Sequence, residues 1–203
     1  VTPMDRHGYF CLGLGADATL SIALNAAKKH RDGDKRYQVL VQVNSQVPRS
    51  RGRNYIHITD VNAIVEQDQD LSVLPETTTI SEEEMTIGRY CAEFVKDGST
   101  IQLGIGSIPN AVAKAFLDTH VKDLGIHSEM ACDTMRELWE EGIVTNRRKT
   151  FMPDRSIFTF AMGTRALYDW IDDNPGVEFH PVDFVNNPHI IGMNDKVVSI
   201  NAC

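Results

Sequence analysis

The stretch from Ser99 to Met130, STIQLGIGSIPNAVAKAFLDTHVKDLGIHSEM, gathers the residue types best suited to chemistry. In GIGSIPN, Gly104 and Gly106 let the backbone turn tightly and leave amides uncovered by side chains. The helix expected to follow begins near Pro109, a residue suited to the first helical position. A glycine turn that feeds a helix start offers N–H groups and the positive end of the helix dipole, a place for an anion. The pattern lacks the third glycine of a dinucleotide fingerprint and the Gly-Lys-Ser/Thr of a P-loop. Taken alone, it is equally a tight strand-to-helix turn. At the other end of the stretch, GIHSEM places Glu129 at a strand end. Neighbours on a strand alternate, so His127 and Glu129 share one face and Ser128 takes the other. A His–Glu pair on one face can act as acid and base. Glu129 can also serve as a nucleophile or as a plain surface carboxylate. A Ser–His–acid hydrolase would carry GxSxG, which the sequence lacks.

Other candidates are weaker. Arg49, Arg51 and Arg53 cluster beside Pro48 and Gly52 in a loop that could meet phosphates or carboxylates, or simply face solvent. Asp5 and His7 read as a polar turn before they read as a site. His57, His180 and His189 have no metal-ligand spacing, and no metal is expected. Met135, Leu138 and Trp139, and likewise Leu167, Tyr168 and Ile171, form helical core stripes rather than cofactor boxes.

The elements that must position these residues follow from periodicity and punctuation. Leu20, Ala23, Leu24 and Ala27 recur on one helical face, with Asp17 as the expected cap. YQVLVQVN reads as a strand. Residues 66–80 are polar and aperiodic, the best candidate for a segment joining two units. Ser81 and Glu84 form a capping box for a helix with apolar residues Ile87, Tyr90, Cys91, Phe94 and Val95, ended at Asp97-Gly98. From Thr100 onward, strands and helices alternate, and the strands are apolar on both faces. That pattern implies an open, largely parallel α/β sheet. In such sheets ligands sit at the carboxyl ends of strands, where Gly104–Ile108 and Glu129 both fall.

The bulk properties set limits. The 203 residues suit one large domain or two small ones. A net charge of -8 argues against a general nucleic-acid binder. No apolar run approaches the ~20 residues of a membrane span, and none is expected. Cys11, Cys91, Cys132 and Cys203 are scattered, as reduced thiols are in a cytoplasmic or organelle-matrix protein. The opening VTPMDRHGYF has neither a signal-peptide layout nor an initiator methionine, and the chain is read as a piece of a longer one.

Several blocks taken in order, VTPMDRHGYF, GSTIQLGIGSIPNAV, KDLGIHSEM, FAMGTRALYDW, PVDFVNNPHII and VSINAC, resemble the acetyl-CoA hydrolase/transferase family of class I CoA-transferases. Within it they are most similar to the 4-hydroxybutyrate and butyryl-CoA:acetate enzymes. The resemblance covers nearly all of the chain and the middle portion of the family's. It implies a three-layer α/β fold with mostly parallel open sheets of the CoA-transferase (NagB/RpiA-like) type. Residues 1–75 would be the C-terminal part of a first CoA-transferase domain and residues 76–203 the first part of a second. It further implies Glu129 as nucleophile, Gly104, Ile105, Gly106, Ser107 and Ile108 as a CoA-contacting loop, and coenzyme A as co-substrate. The partners it implies are an acyl-CoA, a short carboxylic acid and further copies of the chain in a homodimer or higher oligomer. The alternatives are an acetyl-CoA hydrolase and a non-catalytic CoA-binding fragment or subunit.

Overall fold

The computed structural model describes residues 1–74 and 80–201. The first part holds β1 (Tyr9–Cys11), α1 (Thr19–Arg31), β2 (Leu40–Val43), β3 (Arg51–Gly52), β4 (Tyr55–His57) and β5 (Ala63–Glu66). Next come α2 (Glu82–Ala92), β6 (Thr100–Leu103), α3 (Ser107–Leu117), β7 (Gly125–Ile126), β8 (Met130–Ala131) and α4 (Asp133–Glu140). The chain continues through β9 (Ser156–Phe158), β10 (Phe160–Ala161), α5 (Arg165–Ile171) and β11 (Val177–Phe179). It closes with α6 (Val182–Val185), α7 (Pro188–Ile191) and β12 (Val197–Ile200). The expected boundary between residues 75 and 76 lies outside the described residues, as does Cys203.

Strands β12, β6 and β7 pair in parallel, and so do β3, β11 and β9. A parallel bridge between His127 and Ile157 joins the two sets, giving the order β12-β6-β7-β9-β11-β3. Past Glu129 the same direction is kept, with β8 parallel to β10. Parallel neighbours need long crossovers, and α3 supplies one between β6 and β7. Ile101, Leu103, Ile126, Ile157, Val177 and Phe179 are buried, as strands covered on both faces must be. The expectation of an α/β fold with mostly parallel open sheets is met; only β1 and β4 pair antiparallel among the described strands.

Two apolar clusters form among the described residues. Phe10, Leu20, Val41 and Ile56 pack with α1, whose Leu20 and Ala27 are buried and whose Ala23 and Leu24 lie against them. A larger cluster centres on Ile101, Phe116, Ile126, Leu138, Phe158 and Leu167. Three local expectations need correction. Asp17 does not cap α1: it sits at φ +35°, and Ala18 occupies the cap without a side-chain bond. The capping box of Ser81 and Glu84 forms, but α2 ends at Ala92 and buries Gly88 and Ala92; of the expected apolar residues Val95 is buried and Cys91 packs against the core, while Ile87, Tyr90 and Phe94 are exposed. Small residues win there because α2 lies close on α3, and a Cβ at Gly88 would come within 2.7 Å of the Ala111 carbonyl carbon. Finally, α3 starts at Ser107 rather than Pro109. Gly106 caps it at φ +130°, a conformation that strains any other residue.

Candidate active site

Glu129 lies between β7 and β8 and is half-buried. Its backbone is fixed from the neighbouring strand: its carbonyl accepts from Thr159 N–H at 2.9 Å and Phe160 N–H at 3.2 Å. Ser128 faces the other way, and its hydroxyl donates to the Leu103 carbonyl at 3.0 Å. The carboxylate of Glu129 accepts a hydrogen bond from Asn186 Nδ2 at 2.8 Å. Two residues earlier, His127 donates from Nε2 to the Val185 carbonyl at 2.8 Å. His127 and Glu129 thus both reach the end of α6, as the shared face requires. Burial pulls the imidazole pKa down to about 4, so the ring is neutral at neutral pH.

The strand end that carries these residues is held by side chains as well as by strands. Asn146 accepts the Ile126 N–H at 2.9 Å and donates to Ser156 Oγ at 2.9 Å. Lys149 donates from Nζ to the Ile126 carbonyl at 2.9 Å and to the Arg155 carbonyl at 2.6 Å. Both are buried, and burial lowers the Lys149 pKa to about 7. Together they take the place of a strand beside Ile126.

Glu129 opens on a cavity of about 240 Å³ lined by Gln102, His127, Asn186, Ser199 and Asn201 among others. Gln102 and Asn201 exchange two amide hydrogen bonds, at 3.1 and 2.9 Å, across the ends of β6 and β12. The glycine turn mostly faces elsewhere. Ile105, Gly106 and Ser107 line a second cavity of about 320 Å³ with Lys114, Met130 and Cys132. The alternation of Glu129 and Met130 sends them to different cavities. Gly104 is the link: a Cβ there would lie 2.5 Å from Asn201 Oδ1, so a side chain at this position would displace the Asn201 amide from the first cavity's wall. Ile108 is half-buried in the first turn of α3. Ser107 donates its hydroxyl to Glu84, and that bond is the main reason the Glu84 pKa is lowered. A carboxylate of the chain itself therefore already meets the α3 start, where an anion is favoured.

Two of the three clustered arginines are taken up within the chain. Arg49 donates to the Pro3 carbonyl at 2.8 Å and Arg51 pairs with Asp173. Asn186, Gln102 and Asn201 escaped the sequence reading of the site. Asn186 stands in the block PVDFVNNPHII, and its only signal is a polar residue closing a four-residue helix.

The match to known proteins is broad. Residues 163–203 match the acetyl-CoA hydrolase/transferase C-terminal domain. The whole chain is 48% identical to a succinyl-CoA:cyclohexane-1-carboxylate CoA transferase of Geobacter metallireducens and covers 43% of it. It is 41% identical, again over its whole length, to a 4-hydroxybutyrate coenzyme A transferase of Clostridium kluyveri, covering 44% of that protein. The chain is similar to proteins of the acetyl-CoA hydrolase/transferase family. Solved structures agree. RipA from Yersinia pestis superposes with a TM-score of 0.87 at 42% identity, over 99% of this chain and 43% of RipA. A 4-hydroxybutyrate CoA-transferase from Porphyromonas gingivalis gives 0.87 at 36% identity, over 100% of this chain and 49% of that one. The chain therefore spans less than half the length of each of these relatives.

Proposed function

We propose that the full-length protein is a CoA-transferase that moves coenzyme A between a short-chain acyl-CoA and a short carboxylate of the 4-hydroxybutyrate, butyrate or acetate class. The observation that carries this is Glu129 itself: a half-buried strand-end carboxylate, its backbone pinned by two amides and its side chain oriented by the neutral amide of Asn186. A neutral donor aims the carboxylate without consuming its charge, which suits a nucleophile.

In this mechanism a Glu129 oxygen attacks the acyl carbonyl, the C–S bond breaks, and CoA leaves as thiolate. The resulting acyl-glutamyl anhydride is attacked by the thiolate at the glutamyl carbonyl. That C–O bond breaks, releasing the carboxylate and leaving a glutamyl-CoA thioester. A second carboxylate attacks the thioester carbonyl and expels the thiolate, which then takes the new acyl group and frees Glu129. Each attack builds an oxyanion, and an amide donor aimed at it contributes about 3–4 kcal/mol. Gly104, Ile105, Gly106, Ser107 and Ile108 are proposed as the CoA-contacting loop. Its exposed glycine backbone supports that role.

The proposal extends to organisation: residues 1–75 end one CoA-transferase domain, residues 76–203 begin the next, and the protein is a cytoplasmic homo-oligomer. Among the described residues no helix is long and apolar enough to cross a membrane. Glu129→Gln keeps the shape and the approach to Asn186 while removing the nucleophile. Steady-state assays of the full-length protein should show ping-pong transfer to acetate, far faster than release to water, and Glu129→Gln should abolish it. Equal rates with and without acetate would favour the hydrolase reading, for which the family name leaves room.

A further inference from the structure

Glu129 takes its side-chain hydrogen bond from Asn186, and Asn186 is exposed. An exposed amide at the end of a four-residue helix has little of its own to hold it in place. What stands directly behind it is buried: Val185, whose carbonyl receives the His127 Nε2 proton at 2.8 Å. The two hydrogen bonds form a closed ring. His127 and Glu129 are two apart on the strand end, and Val185 and Asn186 are adjacent at the helix end. One bond is buried and runs from strand to helix; the other lies at the cavity and runs from helix to strand. Both His127 and Asn186 line the cavity on which Glu129 opens.

The tautomer is set by the same geometry. A carbonyl only accepts, so the nitrogen facing it carries the proton. The remaining nitrogen, Nδ1, is buried and has no hydrogen-bond partner among the described residues. A buried acceptor left unpaired is costly. What an apolar side chain cannot do is hold the Val185 carbonyl.

We propose that His127 is a positioning residue for Glu129, acting through the Val185 carbonyl to fix the amide of Asn186 against the carboxylate. This rests on the reading of Glu129 as nucleophile. Misplacing a reacting group by an ångström can cost about 100-fold in rate. The role predicts a loss in kcat with little change in KM.

The test uses the full-length protein, acetate and a short acyl-CoA, and the variants Glu129→Gln, Asn186→Ala, His127→Asn, His127→Gln and the double variant His127→Asn/Asn186→Ala. Glutamine can set an amide N–H near the Nε2 position; asparagine reaches only as far as Nδ1. His127→Asn should lower kcat about tenfold or more and His127→Gln should restore most of it. Because both residues act along one path, the double variant should fall within about twofold of Asn186→Ala. Losses that multiply in the double variant, or a His127→Asn protein with wild-type kcat, would overturn the proposal while leaving Glu129 in its role. Activity retained in Glu129→Gln would instead overturn the reading beneath it. Should the variants fail to fold, ¹⁵N histidine spectra of the wild-type protein decide. The proposal requires the neutral Nε2–H tautomer at His127, and the Nδ1–H tautomer would contradict it.

Discussion

At the scale of single residues, His127 couples the site to stability. Its pKa falls from 6.5 to about 4 on folding because burial disfavours the imidazolium. Between those values the unfolded chain binds a proton that the folded chain refuses. Stability is therefore fully present above pH 6.5 and is lost as pH falls toward 4. One such group contributes on the order of 3 kcal/mol across the window. Lys149 does not confuse the window, since its lowered pKa of about 7 lies above it. Thermal unfolding from pH 7 to pH 4 should show a steeper decline for wild type than for His127→Gln. Equal slopes would mean that His127 is not held neutral. His127 and Glu129 were legible together because alternation places them on one face. Asn186 was not: it stands 57 residues from Glu129, and nothing local announces a partner that far away.

At the scale of elements, α2 shows where periodicity misleads. Apolar spacing selects Ile87, Tyr90, Cys91, Phe94 and Val95 for the core; Val95 and Cys91 meet it, yet Ile87, Tyr90 and Phe94 are exposed and Gly88 and Ala92 are buried. Hydrophobic patterns weigh size, whereas two helices in close contact select for its absence. The Ser81–Glu84 capping box was readable because its partners are three residues apart. Its second use was not, since Glu84 also accepts from Ser107 at the start of α3. The close contact at Gly88 and the bond from Glu84 therefore tie the same two helices. Gly88→Ala should push α2 away from α3 and cost about 1–3 kcal/mol, partly offset by the better helix propensity of alanine. Urea unfolding checks this, and a stabilised variant would show that the helices are not in close contact.

At the scale of the whole molecule, the parallel sheet was legible from alternating strands and helices, while its far edge was not. That edge, β3, comes from residues 51–52 and pairs with β11 over 120 residues later. It joins a segment near the smaller apolar cluster to the sheet that carries Glu129. Gly52 makes the pairing possible: at φ +101° its missing side chain would run into the Phe179 backbone, with the nitrogen 2.8 Å away. Gly33 offers a control, with φ +105° and nothing within 4 Å. Gly33→Ala should cost about 1 kcal/mol from backbone strain alone. Gly52→Ala should cost about 2 kcal/mol more, because the strand pairing is lost as well. Equal costs in calorimetry would mean that β3 does not bind the two parts together.

All three scales converge on one carboxylate, and one measurement tests it most directly. The full-length protein is mixed with a short acyl-CoA, quenched with borohydride, digested and mapped by mass spectrometry. The expected result is Glu129 reduced to its alcohol in the presence of acyl-CoA and untouched without it, with no such product in Glu129→Gln. A labelled residue other than Glu129, or full transfer activity with Glu129 never modified, would contradict the assignment.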